Sequence, residues 1–330
     1  MKTILVTGAT GCVGSNLTVE LLKRGYTVRA FHRATSSALA LKGVEVEHVT
    51  GDVRDRSSLR KAMLGCDTVF HTAAIVSFWR RKRDEQMDIN VNGTRNVVES
   101  CLGLGVEKLV HTSSVAAIGF RTDGLLIDES TEYNWGTNIG YKYSKHLAEL
   151  EILNGVGQGL HATLVNPTVV IGPRDAYIHG GQIVRDIKRG RIPAYVEGGM
   201  NIVSVHDVVA GHIGAAMRGR PGERYILGGV NLTHKEIFAL AAKVLGGRTP
   251  VVKAPVWAVK SIARTFDLIG ALTNIQPWIT SELVAGVGMA NWYSIEKSQR
   301  ELDYQPTSVE DAMREAYVWY VENGMMEMRL

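Results

Sequence analysis

An eight-residue stretch near the N-terminus, Thr7-Gly8-Ala9-Thr10-Gly11-Cys12-Val13-Gly14, constrains this chain more than any other feature. It follows an apolar run at residues 3–7. It precedes a segment with helical periodicity at 15–24, which stops at Gly25, a good C-terminal cap. Each glycine has a physical purpose there. Gly8 permits the tight turn, Gly11 lets the backbone approach a pyrophosphate, and Gly14 allows close packing of helix on strand. The free N–H groups of the helix N-terminus then face the phosphates. Gly8, Thr10, Gly11, Cys12, Val13 and Gly14 are therefore candidate dinucleotide-binding residues.

The rest of the first half fits such a loop. Strand candidates at 27–31, 44–49, 68–72, 108–112 and 162–165 alternate with helical patterns at 57–64 and 92–104. Right-handed crossovers then predict an α/β fold, a doubly wound parallel sheet of the Rossmann kind. After about residue 173 the loops lengthen. Strands at 202–205 and 224–227 flank a helix at 207–217 and are expected to return to the sheet. From Thr233 onward helices are predicted at 234–245, 256–272, 281–287, 294–302 and 308–323. The reading is a dinucleotide-binding domain (1–172 and 201–229) and a smaller, mainly helical substrate-binding domain (173–200 and 230–330). The 256–272 helix carries Lys260, Arg264 and Asp267 on one face and reads as amphipathic.

Composition closes off other classes. The three cysteines, Cys12, Cys66 and Cys101, form no CxxC pair, so neither a disulfide framework nor a zinc module is expected, and no metal site is predicted. No apolar window is long enough to span a membrane, and no signal-peptide core precedes Gly8, which predicts a cytoplasmic protein. The net charge is only +4. One basic run, Arg80-Arg81-Lys82-Arg83, is followed at once by Asp84-Glu85 and reads as a solvated loop rather than a nucleic-acid arm.

The end of the second strand addresses which dinucleotide binds. An acid there would hold a ribose 2′-OH and indicate NAD. The sequence instead runs Arg29-Ala30-Phe31-His32-Arg33. Arg33 is placed to pair with a 2′-phosphate, a charge-assisted bond worth about 1.5–3 kcal/mol, or roughly 10- to 150-fold in favour of NADP. The alternative is that Arg33 is a plain surface arginine and that NAD binds.

Further along stand His111-Thr112-Ser113-Ser114, at the C-terminal end of a predicted strand, and Tyr141-Lys142-Tyr143-Ser144-Lys145. On a helix Tyr141 and Lys145 share a face, and an adjacent ammonium lowers a phenol's pKa towards working pH. Tyr143 has Leu147 at the corresponding position and no such partner. With Gly51-Asp52-Val53, Asn90-Val91-Asn92-Gly93-Thr94, Asn166-Pro167-Thr168 and Val205-His206-Asp207-Val208, these motifs resemble the extended short-chain dehydrogenase/reductase family along essentially the whole chain. Within it they are most similar to the dihydroflavonol-reductase-like branch, and there to bacterial hopanoid-associated sugar epimerases.

The resemblance implies a catalytic set of Ser114, Tyr141 and Lys145, with Asn92 matching a helix-bending asparagine whose role is either structural or catalytic. It further implies that Asp52 and Val53 contact adenine. Thr72, Ala73, Ala74 and Thr112 would line the pyrophosphate and ribose, and Pro167, Thr168 and Val169 the nicotinamide. Lys145 and Tyr141 would also touch cofactor. Homodimers are usual in this family, through helices that would include 92–104 and 141–151.

Two departures bear on function. Cys12 stands where relatives carry an aromatic residue and reads as a packing substitution rather than a redox group. Met200 stands where sugar-nucleotide enzymes commonly place an arginine on the substrate diphosphate, and a thioether cannot make that bidentate pairing. Ile75, Val76, Ser77, Phe78 and Trp79 are expected to face the substrate, with Tyr177, Met200 and the 256–272 helix adding apolar walls. The expectation is an NADP-preferring oxidoreductase that interconverts a carbonyl and an alcohol on a hydrophobic small molecule. Ser114 would polarise the oxygen and Tyr141 exchange the proton. Two other readings remain: a sugar-nucleotide epimerase or dehydratase, and a non-catalytic NADP sensor.

Overall fold

In the computed structural model, which describes residues 2–327, the chain begins with alternating strands and helices. The strands are β1 (Thr3–Thr7), β2 (Thr27–His32), β3 (Glu47–Thr50), β4 (Thr68–His71), β5 (Lys108–Thr112) and β6 (Ala162–Pro167). The helices among them are α1 (Cys12–Lys23), α2 (Arg56–Met63), α3 (Arg83–Gln86), α4 (Gly93–Leu104) and α5 (Gly140–Gly157). The second half holds β7 (Val169–Ile171), α6 (Gln182–Lys188), β8 (Ala194–Tyr195), β9 (Gly199–Ser204), α7 (Val205–Arg218), β10 (Arg224–Leu227) and β11 (Val230–Thr233). It closes with α8 (His234–Leu245), β12 (Val252–Lys253), α9 (Val256–Thr273), β13 (Ala290–Asn291), α10 (Glu296–Leu302) and α11 (Val309–Glu322).

Seven strands make one sheet in the order β10-β6-β5-β4-β1-β2-β3, every pair parallel. Alternate residues of β1 feed opposite faces. Ile4 and Val6 pack with Leu17 and Leu21 of α1 and Val208 of α7, whereas Leu5 packs with Val97 and Val98 of α4 and Ile152 of α5. Helices on both faces bury the centre of a parallel sheet, so β1, β4 and β6 are buried along nearly their whole length, whereas the edge strand β3 is polar and mostly exposed. The strand order reverses between β1 and β4, and the crevice above that point is where doubly wound sheets bind ligands.

The expected strand at 202–205 forms as Gly199–Ser204 and joins a second sheet with β7, β11 and β13 instead of returning to the large one. Only Arg224–Leu227 returns. The reason is the turn after β10: a Cβ on Gly229 would sit 2.3 Å from the Ile202 carbonyl oxygen, so glycine there lets the chain fold back against β9. A helix expected at 281–287 is a run of turns, because Asp267 holds the Ser281 N–H and Gly288 takes a φ of +91°. The helix expected to begin at Asn92 is preceded by a π-helical turn, Met87–Asn92, and a Cβ on Gly93 would meet Val53 at 2.7 Å.

The basic run is not a free loop. Arg81 donates to the Asn274 side chain and the Ala271 carbonyl at the end of α9, and Arg83 donates to the Asn138 carbonyl. Its charges tie this segment to the end of α9 and to the loop before α5.

Candidate active site

The glycine loop is shaped by close approach. Gly8 has a φ of +67°, and a Cβ on it would lie 2.6 Å from the Ala73 backbone. On Gly14 it would lie 2.4 Å from the Gly8 carbonyl oxygen and 2.6 Å from Thr72 Oγ1. Around Gly11 the nearest atom would be at 3.4 Å, so that side stays open. Helix α1 starts at Gly11 with no side-chain cap, which leaves its first N–H groups for an anion. These features fit a dinucleotide pyrophosphate. Arg33 is exposed at the rim with His32 and Ser36, and Asp52 is already engaged by Arg54 at 2.7 Å, which holds its carboxyl below the usual range.

The cradle opens into one cavity of about 740 Å3 that continues past the C-terminal ends of β4, β5 and β6. Tyr141, on the first turn of α5, is half-buried, with its phenol facing the Ser114 side chain. Burial pushes its phenol up, and the Ser114 hydroxyl opposes that. Lys145, one turn on, donates to the Thr112 carbonyl at 2.8 Å. Burial lowers its pKa to about 8, and the negative charge of Glu149 works against the fall. Glu149 is fully buried. Its Oε1 accepts from Ser113 Oγ at 2.5 Å and Asn166 Nδ2 at 2.6 Å, and Asn166 Nδ2 also reaches the Ser114 carbonyl at 3.0 Å. Arg224 lies 3.1 Å from Glu149 Oε2. One carboxylate thus braces Ser114 and faces Lys145.

Histidines behind the site are neutral, and their bonds fix the tautomers. Thr94 Oγ1 donates to the Asn90 carbonyl, so it accepts from His71 Nε2, and His71 Nδ1 then accepts from Thr7 Oγ1. Thr7 Oγ1 in turn accepts from the Ala73 N–H, which pins the loop that lines the cradle. His212 Nδ1 donates to the Val208 carbonyl and Nε2 accepts from Thr112 Oγ1. Burial lowers His71 to about 3 and His212 to about 4. Unfolded, each takes a proton near 6.5. Their folded values lie below that, so the stability they contribute is complete above about pH 6.5 and shrinks as pH falls. The loss is about 1.4 kcal/mol per pH unit for each histidine. Urea midpoints are expected to drop steeply between about pH 6.5 and about pH 4.5. A flat profile would mean that these rings are charged in the fold.

The residues expected to touch cofactor line this cavity, and of those expected on the substrate side Ile75, Val76, Phe78, Tyr177 and Met200 do as well. Phe78 meets the Tyr141 ring edge-on, with centroids 5.5 Å apart. Cys12 packs with its Sγ 3.7 Å from the Pro173 carbonyl oxygen, and burial raises its thiol well above the ordinary value. Asn92 is a correction. It lies outside the cavity, exposed, bonded to Asp88 and Arg95. The buried asparagine is Asn90, which grips Ile75 by both N–H and carbonyl and donates to Ser144 Oγ. Within the π-helical turn Met87–Asn92, Asn90 is turned inward and Asn92 outward, so the family match falls on the exposed one. Ser77 and Trp79 are also corrected: in the extended segment Ile75, Val76 and Phe78 reach the cavity, whereas the Ser77 side chain turns to the Trp79 N–H. Helix α9 adds no wall.

Sequence reasoning missed Lys142, Asp175, Asn201, Asn291 and Tyr293, all of which line the cavity. Asp175 was legible only in three dimensions: it accepts from the N–H groups of His179 and Gly181 and from the Tyr320 hydroxyl, shaping the loop that carries Tyr177. Lys142 is held over the Trp135 ring, and burial lowers its pKa to about 7.

Residues 4–228 match the model of the NAD dependent epimerase/dehydratase family. The chain belongs to that family. It is 37% identical to a Synechocystis protein named as a dihydroflavonol 4-reductase, covering 98% of this chain and 95% of that one. It is 34% identical to sterol demethylase protein B of Methylococcus capsulatus, covering 98% and 100%. Among solved structures, that of gox2253 superimposes with a TM-score of 0.87 at 38% identity, over 99% of this chain and all of the other. This extended short-chain dehydrogenase/reductase is an NAD(P)-dependent oxidoreductase. Among its described residues no helix is long and apolar enough to cross a membrane.

Proposed function

We propose that this enzyme is an NADP-preferring carbonyl reductase or alcohol dehydrogenase for a hydrophobic small molecule, with Tyr141 as proton donor and acceptor. The observation that carries this reading is the composition of the cavity beyond Tyr141. Its apolar walls are Val76, Phe78, Val170, Tyr177, Met200 and Tyr293; Lys142, Asp175, Asn201 and Asn291 stand among them, and no arginine lies on that side. A doubly charged nucleotide lacks a bidentate clamp there, while an apolar ring or chain is well matched. The relation to a sterol demethylase protein supports an apolar substrate of that shape.

Gly8, Gly11 and Gly14 would hold the pyrophosphate, Arg33 the 2′-phosphate, Asp52 and Val53 the adenine, and Thr168 and Val169 the nicotinamide. Bound there, the dinucleotide supplies or accepts the hydride. Ser114 would hold the substrate oxygen by hydrogen bond, and Tyr141 Oη would deliver a proton to it or remove one. Lys145, charged and close by, would favour the phenolate. The walls from residues 173–200 and 230–330 would exclude water, which strengthens each of these interactions.

Arg33→Ala tests the cofactor reading. Affinity for NADPH is expected to fall roughly 10- to 150-fold, with NADH unchanged, since only the former carries the phosphate. Fluorescence titration with both nucleotides measures it. Equal losses for the two would remove Arg33 from the phosphate site.

A further inference from the structure

Helix α9 carries a surface that the active site does not use. Its 18 residues span about 27 Å. It rests on the body of the protein by a narrow edge: Ala263 and Gly270, two turns apart, are its buried residues, and a Cβ on Gly270 would meet Pro277 at 2.5 Å. The opposite side is bare and mainly apolar, with Ser261 and Thr265 as its small polar residues. Trp257 is 72% exposed and Leu272 80%, with Ile262, Leu268 and Ile269 also exposed between them. The stripe continues past the helix through Ile275 at 70% and Trp278 at 66%. Scattered apolar side chains need no explanation, but a contiguous band of this length marks an interaction surface.

The charges around the band indicate what covers it. Lys260 and Arg264, one turn apart, are both exposed on its flank. Arg81 joins them at the C-terminal end, where it donates to Asn274 and Ala271. The one carboxylate of the helix, Asp267, turns inward to the Ser281 N–H. The rim is therefore cationic. The two tryptophans stand at opposite ends of the band, where an apolar body with one N–H suits a boundary between hydrocarbon and water. A second copy of the chain fits less well. Arg264 lies near the middle of the helix, so a two-fold pairing along α9 would set Arg264 beside its own equivalent.

We propose that α9 and residues 274–278 form a membrane-docking surface that lies in the interface of an anionic lipid bilayer, with the apolar band in the acyl boundary and Lys260, Arg264 and Arg81 among the headgroups. A helix with this distribution lies on a bilayer rather than across it. The docked face is linked to the active site: Phe78, which lines the cavity, accepts a hydrogen bond through its carbonyl from Thr280 at 2.7 Å. The inference stands on the exposed band itself and does not depend on the substrate reading.

The test is flotation of the full chain with vesicles of phosphatidylcholine containing phosphatidylglycerol, and with vesicles of phosphatidylcholine alone. Binding is expected to the mixed vesicles, weaker without the anionic lipid and weakened by salt. Each of Lys260→Glu and Arg264→Glu should reduce it by about fivefold or more. The double variant L268D/L272D should abolish it while leaving the thermal midpoint and NADPH affinity unchanged, which separates lost docking from lost folding. Binding that survives L268D/L272D would overturn the proposal, as would a protein that does not float. Static light scattering run alongside covers the other occupant: a dimer that the double variant splits, with no flotation, would assign the face to a second copy.

Discussion

Replacing Tyr141 with Phe is expected to lower turnover by about 10²- to 10⁴-fold, the usual worth of a positioned general acid or base, with NADPH affinity nearly unchanged. The substitution removes one oxygen. The ring that Phe78 packs against remains, and the glycine cradle around Gly8, Gly11 and Gly14 is untouched. What disappears is the hydroxyl facing Ser114. The pH dependence should carry the same signature in the intact enzyme. Alcohol oxidation requires the phenolate and should rise with pH, whereas carbonyl reduction requires the phenol and should fall. Single-turnover kinetics with saturating nucleotide, beside a fluorescence titration, separate chemistry from binding. Undiminished turnover in the variant would assign the proton transfer to a group other than Tyr141.

Glu149 is the second position where a large effect is expected. Removing one member of a buried charge pair leaves the other uncompensated, and Glu149→Ala should cost about 3–5 kcal/mol of stability. That loss alone would not distinguish a brace from a tuning group. Glu149→Gln does so, because the amide oxygen can still accept from Ser113 and Asn166 while the charge is gone. Lys145 sits near 8 with Glu149 holding it up against burial, so without that charge it should release its proton at a lower pH. The protonated form that favours phenolate then disappears sooner, and the alkaline limb of the rate profile should move to lower pH. A profile of unchanged shape in Glu149→Gln, with lower stability, would mean that the carboxylate serves architecture only.

The parts of this site legible in the sequence are those that a local pattern encodes. Three glycines between a strand and a helix can be read because each spacing answers a backbone contact, and the contacts of Gly8 and Gly14 are those that such a turn requires. Tyr141 and Lys145 can be read because four residues on a helix define one face. Asn90 and Asn92 stand in one motif, and the resemblance alone does not say which turns inward; the π-helical turn of Met87–Asn92 decides for Asn90. Glu149 was invisible for a different reason. A glutamate in a helix reads as solvent-facing until Ser113, Asn166 and Arg224, from other segments, are seen to surround it. The strand at 199–204 could be expected from its apolar residues, but not its sheet, since pairing with β7 depends on the fold-back at Gly229. Helix α9 showed its apolar and charged faces in the sequence. Only the structure shows that the apolar one faces outward.

The central claim is NADP-dependent reduction of an apolar carbonyl compound, and absorbance at the reduced-nicotinamide band tests it most directly. Purified protein is mixed with NADPH or NADH and a panel of hydrophobic ketones and aldehydes, with sugar nucleotides run beside them. The account predicts loss of absorbance with NADPH, much slower loss with NADH, and none with the sugar nucleotides. A protein that retains NAD through purification, oxidises no added nucleotide and converts a sugar nucleotide into its epimer would contradict it, and Met200 would then be the first assignment to fall.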